Sequence, residues 1–180
     1  GTRTSPRPTP DTMLIFKDAI SSSKDELLSD VYQYTEVEDI VWEVEAKMVQ
    51  VSDDVNVDIG ANASAEEENE EYAANVRTVN NIVDSFRLQE TSFDKKSYMT
   101  YIKGYMKNMA TYLEKKNPER VADFQKAAQN YVKKILSNIS EYQFFTGESM
   151  DPDGMVVLCI WRGETPVMIY FKDGFEEMKV

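Results

Sequence analysis

The chain contains no histidine and a single cysteine. Histidine is the commonest general base and the commonest metal ligand, so its absence removes the usual equipment of acid–base catalysis and of transition-metal binding. The lone Cys159 has no imidazole to activate it and no partner for an internal disulfide. It lies in the apolar run 155–161, where a small buried hydrophobe is its natural role, and that usage suits a reducing, cytoplasmic compartment. No paired cysteines are present to build a structural zinc site from thiolates. The seven glycines are scattered, none of them in a Gly-x-Gly-x-x-Gly or Walker pattern, so no phosphate-cradling loop is expected. No stretch approaches the roughly 18 consecutive apolar residues of a membrane span, and no basic segment followed by an apolar one opens the chain. These absences point away from an enzyme and towards a binding protein, with no catalytic residue, no assigned metal ligand and no required cofactor.

What remains is a chain of 180 residues, enough for one domain that buries roughly 70% of its unfolded surface. Residues 1–12 hold Pro6, Pro8 and Pro10 among Thr, Arg and Ser; they read as an extraneous or disordered leader, with the single domain spanning 13–180. The net charge of −12 is unevenly spread. Between Lys95 and Lys134 ten basic residues face three acidic ones, a net +7, which leaves −19 for the rest. Nucleic acid is disfavoured as a partner of the acidic body, though less so of this basic segment; proteins with basic or mixed surfaces suit the remainder. From 52 to 75 the apolar signal collapses and Glu66, Glu67, Glu68, Glu70 and Glu71 crowd together, which predicts a mobile acidic loop.

Along the chain, residues 13–16 read as a strand, 21–30 as a polar turn, 31–37 as a strand and 40–51 as one long or bent strand. Residues 76–91 read as a strand with Ile82, Phe86 and Leu88 on one face. Then the period changes. Tyr98, Ile102, Tyr105, Met109 and Tyr112 recur at helical spacing, with Asp94 as N-cap and Phe93 able to staple onto Tyr98. Asn117 and Pro118 would cap and open a second helix carrying Val121, Phe124, Ala128 and Ile135, so 94–138 forms an antiparallel helical hairpin. On it, Lys96, Lys103 and Lys107 share one face of the first helix, and Lys126 and Lys133 one face of the second. Two apolar runs, 144–146 and 155–161, flank turn residues Pro152 and Gly154; the second does not alternate, as in a strand buried on both faces near a sheet centre.

The stretch Phe144-Phe145-Thr146-Gly147-Glu148-Ser149-Met150, followed by Asp151-Pro152-Asp153-Gly154-Met155-Val156-Val157, resembles the C-terminal signature of the translationally controlled tumour protein family. Ile59-Gly60-Ala61-Asn62-Ala63-Ser64-Ala65-Glu66 resembles that family's other signature, and the likeness extends over nearly the whole chain after residue 12. The resemblance implies an α+β fold: a mainly β, RabGEF-like β-tent with a projecting helical hairpin. It implies a cytoplasmic, non-enzymatic protein, in part associated with the cytoskeleton, that engages tubulin and microtubules, translation elongation factors and Ras-family GTPases of the Rheb kind. The acidic residue tied to GTPase action matches Glu26, in a loop slightly longer than the family's usual one. Weak Ca²⁺ binding is also implied, and the alternative function is a Ca²⁺-binding or chaperone-like protein acting through its acidic surface. Glu148, Asp151 and Asp153 offer hard oxygen ligands but not the EF-hand spacing, and equally suit turn residues that bind nearby backbone N–H groups.

Overall fold

The structure is a computed structural model that describes residues 13–52 and 76–179. Residues 1–12, expected to be a leader, and residues 53–75 of the expected acidic loop lie outside the described residues. Eleven strands and three helices follow in the order β1 Leu14–Asp18, β2 Glu26–Ser29, β3 Thr35–Val37, β4 Val41–Glu45, β5 Met48–Ser52, β6 Val76–Asn80, α1 Asn81–Phe86, β7 Gln89–Thr91, α2 Lys95–Lys116, α3 Val121–Ser137, β8 Gln143–Thr146, β9 Val157–Arg162, β10 Thr165–Phe171 and β11 Phe175–Lys179, among the described residues. All pairings among them are antiparallel: a six-stranded sheet β3-β4-β10-β9-β8-β7, a three-stranded sheet β11-β1-β2 and the two-stranded ribbon β5-β6.

The six-stranded sheet is built around β10, whose residues from Pro166 to Phe171 are all buried. A strand that does not alternate in polarity is one covered on both faces. The expectation placed on 155–161 holds for its first part only. Val157, Leu158 and Cys159 are buried between β8 and β10, whereas Trp161 is 42% exposed. Met155 and Val156 precede the strand, and their N–H groups are held by side chains described below. Burial pushes the Cys159 thiol up to about 12, so at neutral pH it behaves as a small hydrophobe.

Three local expectations are corrected. The stretch read as a polar turn contains β2, whose Leu27 and Leu28 are fully buried, while Val31 and Tyr34 of the expected strand are exposed and only Thr35–Val37 pairs. The single strand over 40–51 is two, β4 and β5, in different sheets with Ala46 and Lys47 between them. The single strand over 76–91 is interrupted by α1. Asn80 accepts the N–H groups of Ile82 and Val83 through its side chain, and Arg87 closes the helix in the left-handed region at φ 55°.

The helices follow their caps. Asp94 accepts Ser97 N–H at 2.7 Å while the Ser97 hydroxyl takes the Asp94 N–H, a capping box, and Phe93 packs edge-on to Tyr98 at 5.6 Å as the hydrophobic staple. After α2, Asn117 makes no side-chain cap; Pro118 opens a 3-10 turn instead, and α3 starts at Val121. The inner face of the hairpin lies on the six-stranded sheet, with Tyr98 against Phe144 of β8 at 5.5 Å and Tyr105 against Phe171 of β10 at 5.9 Å. Met109, Leu113, Phe124, Ala128, Tyr131 and Ile135 extend the same core, so what stands out from the body is the hairpin's outer face. At the turn between the helices Arg120 donates to Asp173 at 2.8 Å and to Asp39 at 2.7 Å, tying the hairpin to the 3-10 turn after β10 and to the turn between β3 and β4.

Candidate functional site

Two surfaces carry the residues singled out from the sequence. The first is the junction of the β1–β2 loop with the segment 147–156. Asp18, the last residue of β1, is 2% exposed and accepts N–H groups from Ile20 at 3.0 Å, Ser21 at 3.2 Å and Met155 at 2.7 Å. Burial raises its carboxyl above the ordinary range, against the lowering effect of those N–H groups. Asp25 accepts both the N–H and the hydroxyl of Ser149, at 3.1 and 2.6 Å. In return Asp151, on the opposite loop, accepts the Ser21 hydroxyl at 3.0 Å and the Ser22 N–H at 3.1 Å. The N–H of Asp153 also points at the Asp151 carboxylate and does most to hold it below the usual range.

The approach is so close that a Cβ at Gly147 would collide with Asp25, and one at Gly154 with Asp18. Tyr101 of α2 completes the junction: its hydroxyl donates to the Gly154 carbonyl at 2.8 Å and accepts the Val156 N–H at 2.9 Å. Glu26 stands at the rim as the exposed first residue of β2, opposite Lys17 of β1. Its backbone is fixed from the preceding residue, because the Asp25 carbonyl accepts the Asp18 N–H at 2.8 Å. Glu148 is exposed and pairs with Arg87 at 3.5 Å, and no group of three or more Asp, Glu, Cys or His among the described residues is arranged to hold a metal ion.

The second surface is the outer face of the hairpin. A groove of about 700 Å³ runs between α2 and α3. Met99, Ile102, Met106, Ala128 and Val132 are its apolar lining, and Lys103, Lys107 and Lys133 border it with Gln125 and Gln129. The structure thus brings together three of the five lysines. Lys126 lies apart, in a recess it shares with Glu38, Asp39, Asp123 and Asn130. Lys96 is exposed on the first turn of α2 and borders neither. Lys24, Arg87, Arg120, Lys134, Arg162 and Lys172 make ion pairs, and none of the five does so among the described residues.

Sequence reasoning missed Asp18, Asp25, Tyr101 and Arg120; it named Asp151 as a turn residue accepting nearby N–H groups, as it does from Asp153, but not its bonds across to Ser21 and Ser22. The available signals were weak ones: a carboxylate ending an apolar strand, and glycines at 147 and 154 where neighbouring side chains leave no room.

Antiparallel sheets of short strands, roofed by a helical hairpin, define a small α+β protein. Within that class the family model for translationally controlled tumour protein matches residues 13–176, and the chain belongs to that family. It is 56% identical over 169 residues to the translationally-controlled tumor protein homolog of Schizosaccharomyces pombe, covering 93% of this chain and 99% of that one. It is 52% identical over 170 residues to the homolog from Yarrowia lipolytica, at 93% and 100% coverage. Among solved structures it is similar to the translationally controlled tumor-associated protein p23fyp from Schizosaccharomyces pombe, with a TM-score of 0.77 at 56% identity over 93% of this chain and 99% of that one. The Caenorhabditis elegans family member superposes with a TM-score of 0.67 at 31% identity, over 93% and 98%.

Proposed function

We propose that the chain is a non-enzymatic cytoplasmic adaptor whose hairpin groove docks acidic partners and whose Glu26 rim engages a small GTPase. The observation that carries it is the groove: an apolar floor bordered by Lys103, Lys107 and Lys133, none of them ion-paired with a carboxylate among the described residues. Arg120, Arg162 and Lys172, by contrast, are each held by a carboxylate. Lysines without an ion pair beside the exposed Met99 and the half-buried Met106 suit an acidic, partly apolar segment, and they raise its rate of encounter at low salt. The acidic tails of tubulin have that chemistry, and a translation elongation factor with an acidic stretch would meet the same surface.

Triple reversal of Lys103, Lys107 and Lys133 to Glu tests it. Binding to tubulin should weaken at least tenfold and lose its salt dependence between about 50 and 300 mM, where the Debye length falls by about half or more. Binding unchanged by the reversal and flat with salt would place the contact elsewhere. For the GTPase, a Rheb-like Ras-family protein is the partner to test. Its nucleotide release should change with Glu26→Ala, while stability moves by under about 0.5 kcal/mol, as for other exposed substitutions. Unaltered GTPase binding and release in that variant would remove Glu26 from the site.

A further inference from the structure

Ser22 and Ser23 stand exposed in the β1–β2 loop, and Ser149 exposed across from them. The Ser23 hydroxyl lies 2.6 Å from the Ser149 hydroxyl, which donates to Asp25 at 2.6 Å. The Ser21 hydroxyl, 2.7 Å from that of Ser23, donates to Asp151. The two loops are therefore latched by a chain of neutral hydroxyls between two carboxylates. Ser23 is also followed in sequence by Lys24, Asp25 and Glu26, which places carboxylates two and three residues downstream of an exposed hydroxyl. Kinases select substrates by such charge patterns.

We infer that Ser23 is a phosphoacceptor for an acid-directed serine/threonine kinase, and that its phosphorylation opens the latch between the β1–β2 loop and residues 147–153. In the transfer the Ser23 Oγ attacks the γ-phosphorus of ATP. A new P–O bond forms, the bond to the bridging oxygen breaks to leave ADP, and the hydroxyl proton passes to the kinase's carboxylate base. The product carries a charge of about −1.5 to −2 with three acceptor oxygens and no hydroxyl hydrogen. The Ser149 hydroxyl cannot donate to Asp25 and to the phosphate at once, and Asp25, Asp151 and Glu148 all repel the new charge. Lys24, the cation next in sequence, is held by Glu176 at 2.9 Å and by the Ala19 carbonyl at 3.1 Å. Like charges in a latch made for neutral hydroxyls separate it, and the backbone that fixes Glu26 is released with it. The latch opens in this way whatever Glu26 contacts, so GTPase binding is a separate readout.

The full-length chain is incubated with ATP, Mg²⁺ and an acid-directed serine/threonine kinase, beside its Ser23→Ala and Glu26→Gln variants, and phosphate is located by fragmentation mass spectrometry. Phosphate on Ser23 is expected in the parent chain, with incorporation there at least several-fold lower in Glu26→Gln. Amide exchange at Ser22 and Ser149, whose N–H groups donate across the latch, should accelerate about tenfold on phosphorylation, with the β9 and β10 amides unchanged. The Ser23→Ala protein treated alike should show no such acceleration, even where other serines such as Ser64 take up phosphate. Phosphate found only at other positions overturns the acceptor. Phosphate on Ser23 with Ser149 exchange unchanged, or the same acceleration in Ser23→Ala, overturns the switch.

Discussion

The loop junction and the hairpin groove use charged and apolar groups in opposite arrangements. At the junction the carboxylates of Asp18, Asp25 and Asp151 turn inward onto N–H and hydroxyl groups of a distant part of the chain, and Asp18 is buried there. At the groove Met99 is exposed and Met106 and Val132 are half-buried, and the lysines beside them have no ion-pair partner among the described residues. A polar group inside the structure is held by the penalty for leaving its partners unpaired, whereas an exposed lysine contributes little to folding. Damage at the junction should thus appear as lost stability, and damage at the groove as lost binding with stability intact.

The largest test of that contrast is Asp18→Ala. The buried N–H groups of Met155 and Ser21 lose their acceptor, each at about 1–3 kcal/mol, offset in part by relief of a desolvated charge, so a loss of about 2–4 kcal/mol is expected. For a domain of this size that lowers Tm by roughly 5–12 °C. A change within about 1 °C would show that the junction is held by something else. Next in size is a pair of tyrosines on α2. The Tyr101 hydroxyl bridges Gly154 and Val156, so Tyr101→Phe should cost about 1–2 kcal/mol. The Tyr105 hydroxyl is buried with no hydrogen-bond partner among the described residues, so Tyr105→Phe should be neutral or slightly stabilising. Thermal melts of the two variants side by side check the sign as well as the size.

How much of this was legible depends on the range of the interactions. The helix α2 was readable because Asp94, Phe93 and the Tyr98–Met109 spacing are local chemistry with one period. The short α1 was not, since Ile82, Phe86 and Leu88 fit a strand face at even spacing, and the deciding bonds come from the Asn80 side chain. The strand β2 was hidden because Leu27 and Leu28 are flanked by charges and serines that pair only in the folded loop. The spacing suggested one shared face for Lys96, Lys103 and Lys107 of the hairpin and one for Lys126 and Lys133. Which of them border the groove could not be read, because that is decided by how α3 rotates against α2. The contact of Asp18 with Met155 spans 137 residues and leaves no periodic trace.

Acid offers a smaller and broader test. Asp39 is held below the usual carboxylate range chiefly by its hydrogen bonds to Arg120 and Lys172, and Asp151 and Glu176 are lowered as well. A lowered carboxyl stabilises the fold above its unfolded pKa, and that contribution is lost as pH falls through the folded value, so stability should decline below about pH 4. Asp18 has the opposite sign: its raised carboxyl favours the folded state most when protonated, and makes the acid decline shallower. Urea unfolding at several pH values should therefore show a steeper acid loss in Asp18→Asn than in the parent chain. The groove has no carboxylate lining it, so Lys103→Glu and Lys107→Glu would be the variants that add one.

The smallest expected effect separates a local groove from a long-range field. If the +7 of residues 95–134 acted only as a dipole against the −19 elsewhere, any lysine of the hairpin would serve equally for an acidic partner. The structure makes two of them unequal: Lys133 shares the groove with Lys103 and Lys107, while Lys126 sits among Glu38, Asp39 and Asp123. Lys126→Glu adds a like charge to an acidic recess and should cost a few tenths of a kcal/mol, about 0.2–0.5, by analogy with exposed like-charge pairs. Lys133→Glu adds an opposite charge beside two lysines and should be neutral or stabilising by a similar amount, about 0.2–0.5 kcal/mol. Binding should run the other way, with Lys133→Glu weakening tubulin association several-fold more than Lys126→Glu. Equal losses of binding in the two variants would mean that only net charge matters, and the apolar floor of Met99, Met106 and Val132 would then take no part in docking.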